Sequence, residues 1–108
     1  MELNPNLTLA EKKIIIGYFV NLYNQAVARE ELRKINRHTH IGDMENDKTL
    51  IYLMDHALSH VSRETQLIIR HDYIFKSPED WYLDYFSKTS YYRYRMNAID
   101  EFINCLNI

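Results

Sequence analysis

Glycine and proline are scarce. The 108-residue chain holds two glycines, Gly17 and Gly42, and two prolines, Pro5 and Pro78. An all-β domain needs many turn residues, so this scarcity points instead to a few long helices with short connections. A single cysteine, Cys105, excludes an internal disulfide. Its place near the end of an apolar helical pattern reads as a small buried hydrophobe rather than a nucleophile. No apolar run approaches the ~18–20 residues that cross a bilayer. Met1-Glu2-Leu3-Asn4-Pro5 lacks the basic region and apolar core of a secretory leader. The expectation is a cytoplasmic protein with no membrane partner. A glycine-rich phosphate loop and a nucleophile elbow are both missing, and Asp43, Glu45 and Asp47 do not make a calcium-loop pattern. No enzyme activity and no cofactor are expected.

What is present fits one folded domain, residues 1–108. Hydrophobic residues make up 46% and charged residues 26%, too apolar for a disordered tail. Thr8-Leu9-Ala10-Glu11 is a capping box, in which the Thr hydroxyl and the Glu carboxylate each accept from the other's backbone N–H. Two adjacent stripes follow at helical spacing: Ile15, Phe19, Leu22, Ala26 and Ile16, Val20, Tyr23, Val27. They predict a long helix over 8–36. Its charged second half, Arg29 to Lys34, reads as a solvated face with pairs such as Glu30 with Lys34. The other reading is a surface for a partner, including a homodimer through this helix.

Residues 38–46 read as a loop around Gly42. A helical pair over 47–76 follows. Leu50, Met54, Ala57, Leu58 and Val61 form the first core stripe. Ser62 caps the second helix, which turns Leu67, Ile68, Tyr73 and Ile74 inward. Ser77-Pro78-Glu79-Asp80 combines a capping serine, a proline suited to the first helical position and two acids suited to the positive end of the dipole. It predicts a short helix carrying Trp81 and Leu83 to about Phe86. Ser87 then caps a last helix with Tyr91, Tyr94, Ala98, Ile99, Phe102 and Leu106 on its apolar face. Residues 77–106 thus predict a short helix, a tight connection and a longer helix, the helix-turn-helix pattern.

The charge pattern marks where such a module could act. The net charge is −2, and residues 77–86 carry Glu79, Asp80 and Asp84 with no base. Residues 87–96 carry Lys88, Arg93 and Arg95 with no acid. If the apolar face is anchored, Lys88, Thr89, Tyr92, Arg93 and Arg95 project from the other faces, and Ser87 sets the helix start toward a phosphate. Arginine reads guanine bidentately, threonine meets a thymine methyl or a phosphate, and lysine and tyrosine hold the backbone. The candidate DNA-binding residues are therefore Ser87, Lys88, Thr89, Tyr92, Arg93 and Arg95.

Two runs carry a resemblance. One is Val61-Ser62-Arg63-Glu64-Thr65-Gln66-Leu67-Ile68-Ile69-Arg70, ending with Tyr73. The other is Trp81, Ser87, Thr89, Tyr91, Tyr92, Arg93, Ala98, Ile99 and Phe102. Together they resemble the region-4 module of bacterial sigma factors, and more closely the ArpU-type regulators of phage late genes and related small mollicute proteins. The resemblance implies an all-α fold: a long N-terminal helix, then a sigma region-4-like bundle with a C-terminal helix-turn-helix. It also implies transcription regulation through duplex DNA, with Lys88, Thr89, Tyr92 and Arg93 meeting the major groove. The chain departs from the family pattern at Tyr85, where a small residue is usual, and at Asp84, where an apolar one is. The alternative is a protein-interaction module on the same fold, docking on RNA polymerase or self-associating.

Histidines supply a weaker motif. His38-Thr39-His40 and the i,i+4 pair His56 and His60 have metal-ligand spacing. No Cys pair accompanies them, and the His56–His60 segment lacks the zinc-protease glutamate. They read as surface or capping residues, and no metal is expected.

Overall fold

The computed structural model describes residues 7–35 and 44–106, which are mostly helical, with no strand among them. The order is α1 (Leu9–Ile35), α2 (Met44–Ser59), α3 (Arg63–Ile69) continued by a π-helical turn (Arg70–Ile74), a 3-10 turn (Trp81–Asp84) and α4 (Lys88–Leu106). The expected loop around Gly42, with His38, His40 and Asp43, falls mostly outside the described residues, as does Asn36.

Local chemistry sets the helix starts. Glu11 N–H donates to Thr8 Oγ1 at 3.1 Å, and Thr8 N–H donates to Glu11 Oε1 at 3.0 Å. Both halves of the capping box are therefore formed, and they hold the Glu11 carboxyl below its ordinary range. At α3, Thr65 N–H donates to Ser62 Oγ. At α4, Ser90 N–H donates to Ser87 Oγ at 3.1 Å. The Ser62 N–H, which lies outside the α3 ladder, donates to the Glu101 carboxylate and ties the start of α3 to α4.

Burial organises two apolar clusters. In the first, Ile16 and Val20 of α1 meet Met54, Ala57 and Leu58 of α2, Ile69 of α3, and Ile99, Phe102 and Ile103 of α4. Phe102 at the centre is fully buried, and removing an aromatic of that kind leaves a cavity worth ~3–5 kcal/mol. In the second, Ile68 and Ala98 join Trp81, Tyr82 and Tyr91. Ile69 and Ile103 are core residues that lie one step beside the expected stripes, on a buried face wider than the pattern suggests.

The structure departs from the sequence pattern in three places. First, α2 begins at Met44, three residues before the expected start, so Glu45 sits in a helical turn rather than a loop. Asp47 is buried: Arg29 Nε and Nη2 donate to its two oxygens at 2.9 and 2.8 Å, and Arg33 Nη2 donates at 2.9 Å. The second half of α1 is therefore a clamp on α2 as well as a solvated face. Second, Glu30 pairs with Arg33 and Glu31 with Lys34, in place of Glu30 with Lys34. Arg33, turned toward Asp47, draws Glu30 with it.

Third, the short helix of 78–86 is a four-residue 3-10 turn. Ser77 Oγ is within 2.8 Å of His71 Nδ1 instead of capping a helix. Trp81 stacks on the His71 ring at 4.3 Å between centroids, and Trp81 and Tyr82 are both buried. Those two neighbouring anchors hold the segment against α3, while Leu83 stays 59% exposed.

The π-helical turn opens the end of α3. Phe75 N–H donates to Arg70 O, and Ser77 N–H reaches back to His71 O at 2.8 Å. Lys76 closes the turn with φ of 50°, in the left-handed region that normally suits glycine.

Candidate nucleic-acid interface

Asp72, on the widened turn, organises the region around the start of α4. Trp81 Nε1 donates to Asp72 Oδ1 at 2.7 Å, and the Tyr91 hydroxyl donates to Oδ2 at 2.6 Å. One carboxylate thus joins α3, the 3-10 turn and α4. The Tyr91 and Tyr82 rings stack in parallel at 3.9 Å, and Trp81 meets Tyr91 edge-on. Burial pushes the Tyr91 hydroxyl well above the ordinary tyrosine range, and the bond to anionic Asp72 adds to that.

Sequence reasoning misses this hub. Asp72 stands in a balanced stretch, and its partners lie 9 and 19 residues downstream, outside any helical or strand period. The aromatic residues Trp81 and Tyr91 are visible in the pattern, but not the acid they share.

The anchored α4 presents the six predicted residues unequally. Ser87, Lys88, Thr89, Tyr92 and Arg93 lie at its start, and all five are exposed. The Arg93 guanidinium lies 5.3 Å from the Tyr94 ring centroid, a cation–π distance. Arg95 is half-buried. Its Nε stands 3.9 Å from Asp72 Oδ2, is shielded from solvent and makes no hydrogen bond among the described residues. Burial raises the nearby Tyr73 hydroxyl, and the Arg95 charge pulls it back. Arg95 therefore leans toward the hub along the cleft wall, with about a third of its side chain still exposed, rather than projecting freely as Lys88 and Arg93 do.

Lys88, Tyr92 and Arg95 share a cleft of about 550 Å³ with Asp72, Glu79 and Asp80. Thr89 and Arg93 are not part of its wall. The other bases near this end do not converge here: Arg63 borders a separate crevice with Glu64 and Tyr85, and Lys76 borders one with α1. The start of α4 thus has a mixed-charge flank and a crest bearing Thr89 and Arg93.

The histidine pair has local roles. The His56 and His60 rings lie 4.2 Å apart, and His60 Nδ1 sits 2.8 Å from the His56 carbonyl oxygen. Among the described residues, no three His, Cys, Asp or Glu side chains group as metal ligands. No helix among them is long and apolar enough to cross a membrane. No family model, curated protein or solved structure matches this chain.

Proposed function

We propose that the first two turns of α4 contact duplex DNA, and that the chain regulates transcription as a small sigma region-4-like helix-turn-helix protein. The observation that carries this reading is the exposure of Lys88, Thr89, Tyr92 and Arg93 on consecutive turns of a helix whose opposite face is locked by Tyr91, Ala98 and Phe102. A rigid helix with a protruding polar start is the geometry that enters a major groove. In this reading the 3-10 turn and its aromatic anchors replace the usual short first helix. Arg93 on the crest reads a base edge, while Lys88 and Tyr92 hold phosphates.

The electrostatic component is small, because Lys88 and Arg93 are the only exposed cations of α4. Fluorescence anisotropy on labelled duplexes is expected to show binding at low salt, on the order of 50 mM, with a log–log salt slope of about −2. Lys88→Ala and Arg93→Ala each weaken binding, and Arg93→Ala also flattens sequence preference. Absence of duplex binding at low salt sinks the proposal.

A second reading rests on the cleft. Glu79 and Asp80 line the same cleft as Lys88 and Arg95, an arrangement that suits a protein surface of mixed charge better than a polyanion. In that reading the module docks on RNA polymerase. Retention of polymerase subunits on immobilised protein after nuclease treatment favours it, and their disappearance with nuclease favours DNA.

A further inference from the structure

The outer face of α1 is unusual for a surface helix. From Ile14 to Ala28 it has no charged residue, fifteen positions in succession. A surface helix ordinarily puts charged and polar residues on its solvent side, and in α1 the solvent side carries apolar residues and amides in place of charge. Here α2, α4, Ile69 of α3 and the π-helical turn cover one side, and the crevice that Tyr73 and Lys76 form against α1 reaches only the edge of the other, at Tyr18 and Asn21. On the other, Ile14 is 71% and Tyr18 67% exposed, and further along Leu32 is 48% and Ile35 82% exposed.

These residues lie on one continuous ladder. Ile14, Tyr18, Asn21, Gln25, Ala28 and Leu32, closing at Ile35, follow spacings of four and three in strict alternation, and every one is exposed. That is the 3.5-residue repeat of a two-stranded coiled coil. It runs along a helix of 27 residues, about 40 Å long. The core stripe of Ile16, Val20 and Ala26 is on the other side. The ladder is thus a second seam that the monomer does not use.

We propose that α1 pairs with α1 of a second copy, antiparallel, with the two helices crossing near Tyr23. In an antiparallel coiled coil the two kinds of seam position face each other. In this register Ile14 meets Leu32 of the second copy, Tyr18 meets Ala28, and Asn21 meets Gln25. Apolar faces apolar, the largest ladder residue faces the smallest, and amide faces amide. The amide layers fix the register, because any slip buries them against apolar partners. A parallel pair would instead put Tyr18 on Tyr18 and Ala28 on Ala28, one layer overfilled and one empty. Gly17, exposed beside Tyr18 with no atom within 4 Å of where a side chain would begin, leaves room for the approach. From their exposures, Ile14, Tyr18 and Leu32 hold on the order of 400 Å² of open surface per copy, about half of the ~800 Å² that a standard interface takes from each partner, while Ile35 falls opposite the Glu11 turn of the second copy at the rim. The pairing does not depend on DNA binding.

Sedimentation equilibrium on the full chain, from about 5 to about 500 µM, tests the pairing over the weak end of the affinity range of such interfaces. A reversible dimer is expected, and a monomer across that range overturns the proposal. Tyr18→Lys and Ala28→Glu, both at solvent-exposed sites, are each expected to weaken dimerisation at least tenfold while far-UV circular dichroism stays unchanged. Mixing the two variants should restore a heterodimer by native mass spectrometry. The ammonium introduced by Tyr18→Lys in one copy then faces the carboxylate introduced by Ala28→Glu in the other. Failure to restore the heterodimer overturns the register. Recovery when Tyr18→Lys is mixed instead with Tyr18→Glu overturns the antiparallel orientation. Loss of DNA binding without loss of the dimer would count only against the proposed function.

Discussion

Two buried or half-buried aspartates hold this molecule together, and they do so differently. Asp47 joins α1 to α2 through two arginines, so its charge is met by opposite charge at hydrogen-bond distance. Asp72 joins α3, the 3-10 turn and α4 through neutral donors, the Trp81 indole and the Tyr91 hydroxyl, with Arg95 standing off at 3.9 Å. The first hub is electrically closed. The second draws Arg95 inward and opens onto the cleft that borders the candidate interface. The basic decade of α4 therefore presents less positive charge to solvent than its composition suggests. A polar hub inside a small domain can thus stabilise the fold and weaken a neighbouring binding face at the same time.

The largest effect is expected from Asp72→Ala, which removes the second hub and spares the first. It leaves the indole N–H of buried Trp81 and the hydroxyl of buried Tyr91 without their acceptor, and a loss of about 3 kcal/mol is expected. Urea unfolding reads that loss, and the near-ultraviolet signal of Trp81 should change with it. A loss below ~1 kcal/mol would mean the aromatic stack alone holds the turn.

Asp47→Ala comes next, at about 2 kcal/mol, because Arg29 and Arg33 are partly exposed and can turn to water. The same hub sets the response to acid. The Arg29 hydrogen bond, with Arg33 behind it, holds the Asp47 carboxyl below its ordinary range in the folded state. The folded form therefore binds its proton less readily than the unfolded chain. The contribution is fully present above the unfolded carboxylate range and is lost as pH falls through the lowered folded value. Tyr91 acts at the other end: its raised hydroxyl contributes fully below the unfolded tyrosine range, and that contribution is lost as pH rises above it. Thermal melts across pH should show the acid shoulder shrink in Asp47→Ala, with Glu11 still contributing, and the alkaline one shrink in Tyr91→Phe, with Tyr73 still contributing.

The smallest effect is a gain. Lys76 adopts a left-handed conformation beside the Asp72 hub, and Lys76→Gly is expected to stabilise by about 1 kcal/mol by removing the Cβ conflict. Equilibrium unfolding measures it. A destabilisation would show that the lysine side chain contributes more than its backbone strain costs.

Much of the architecture was legible. The capping box at Thr8, the caps at Ser62 and Ser87, and the periodic stripes of α1, α2 and α4 all rest on interactions within a few residues, where spacing in the chain equals spacing in space. The segment after Ser77 misled for the same reason. Its cap, proline and acids are good helix chemistry, yet Trp81 and Tyr82 are drawn onto α3 and α4, and a tertiary anchor overrides local preference in a piece this short. The candidate face was legible as a run of polar and basic residues, but not as a divided one, since Arg95 is turned by an acid 23 positions upstream.

The helical class, the capped starts at Thr8, Ser62 and Ser87 and the polar, protruding beginning of α4 were written in the chain, because they follow from backbone capping and a repeat of 3.6 residues. Which acids became hubs and which cations stayed outside was settled by packing. Those choices depend on partners brought together by burial: Arg29 and Arg33 over Asp47, Trp81 and Tyr91 over Asp72. A buried carboxylate takes whatever donors the packed chain places within reach, and no local pattern records that distance.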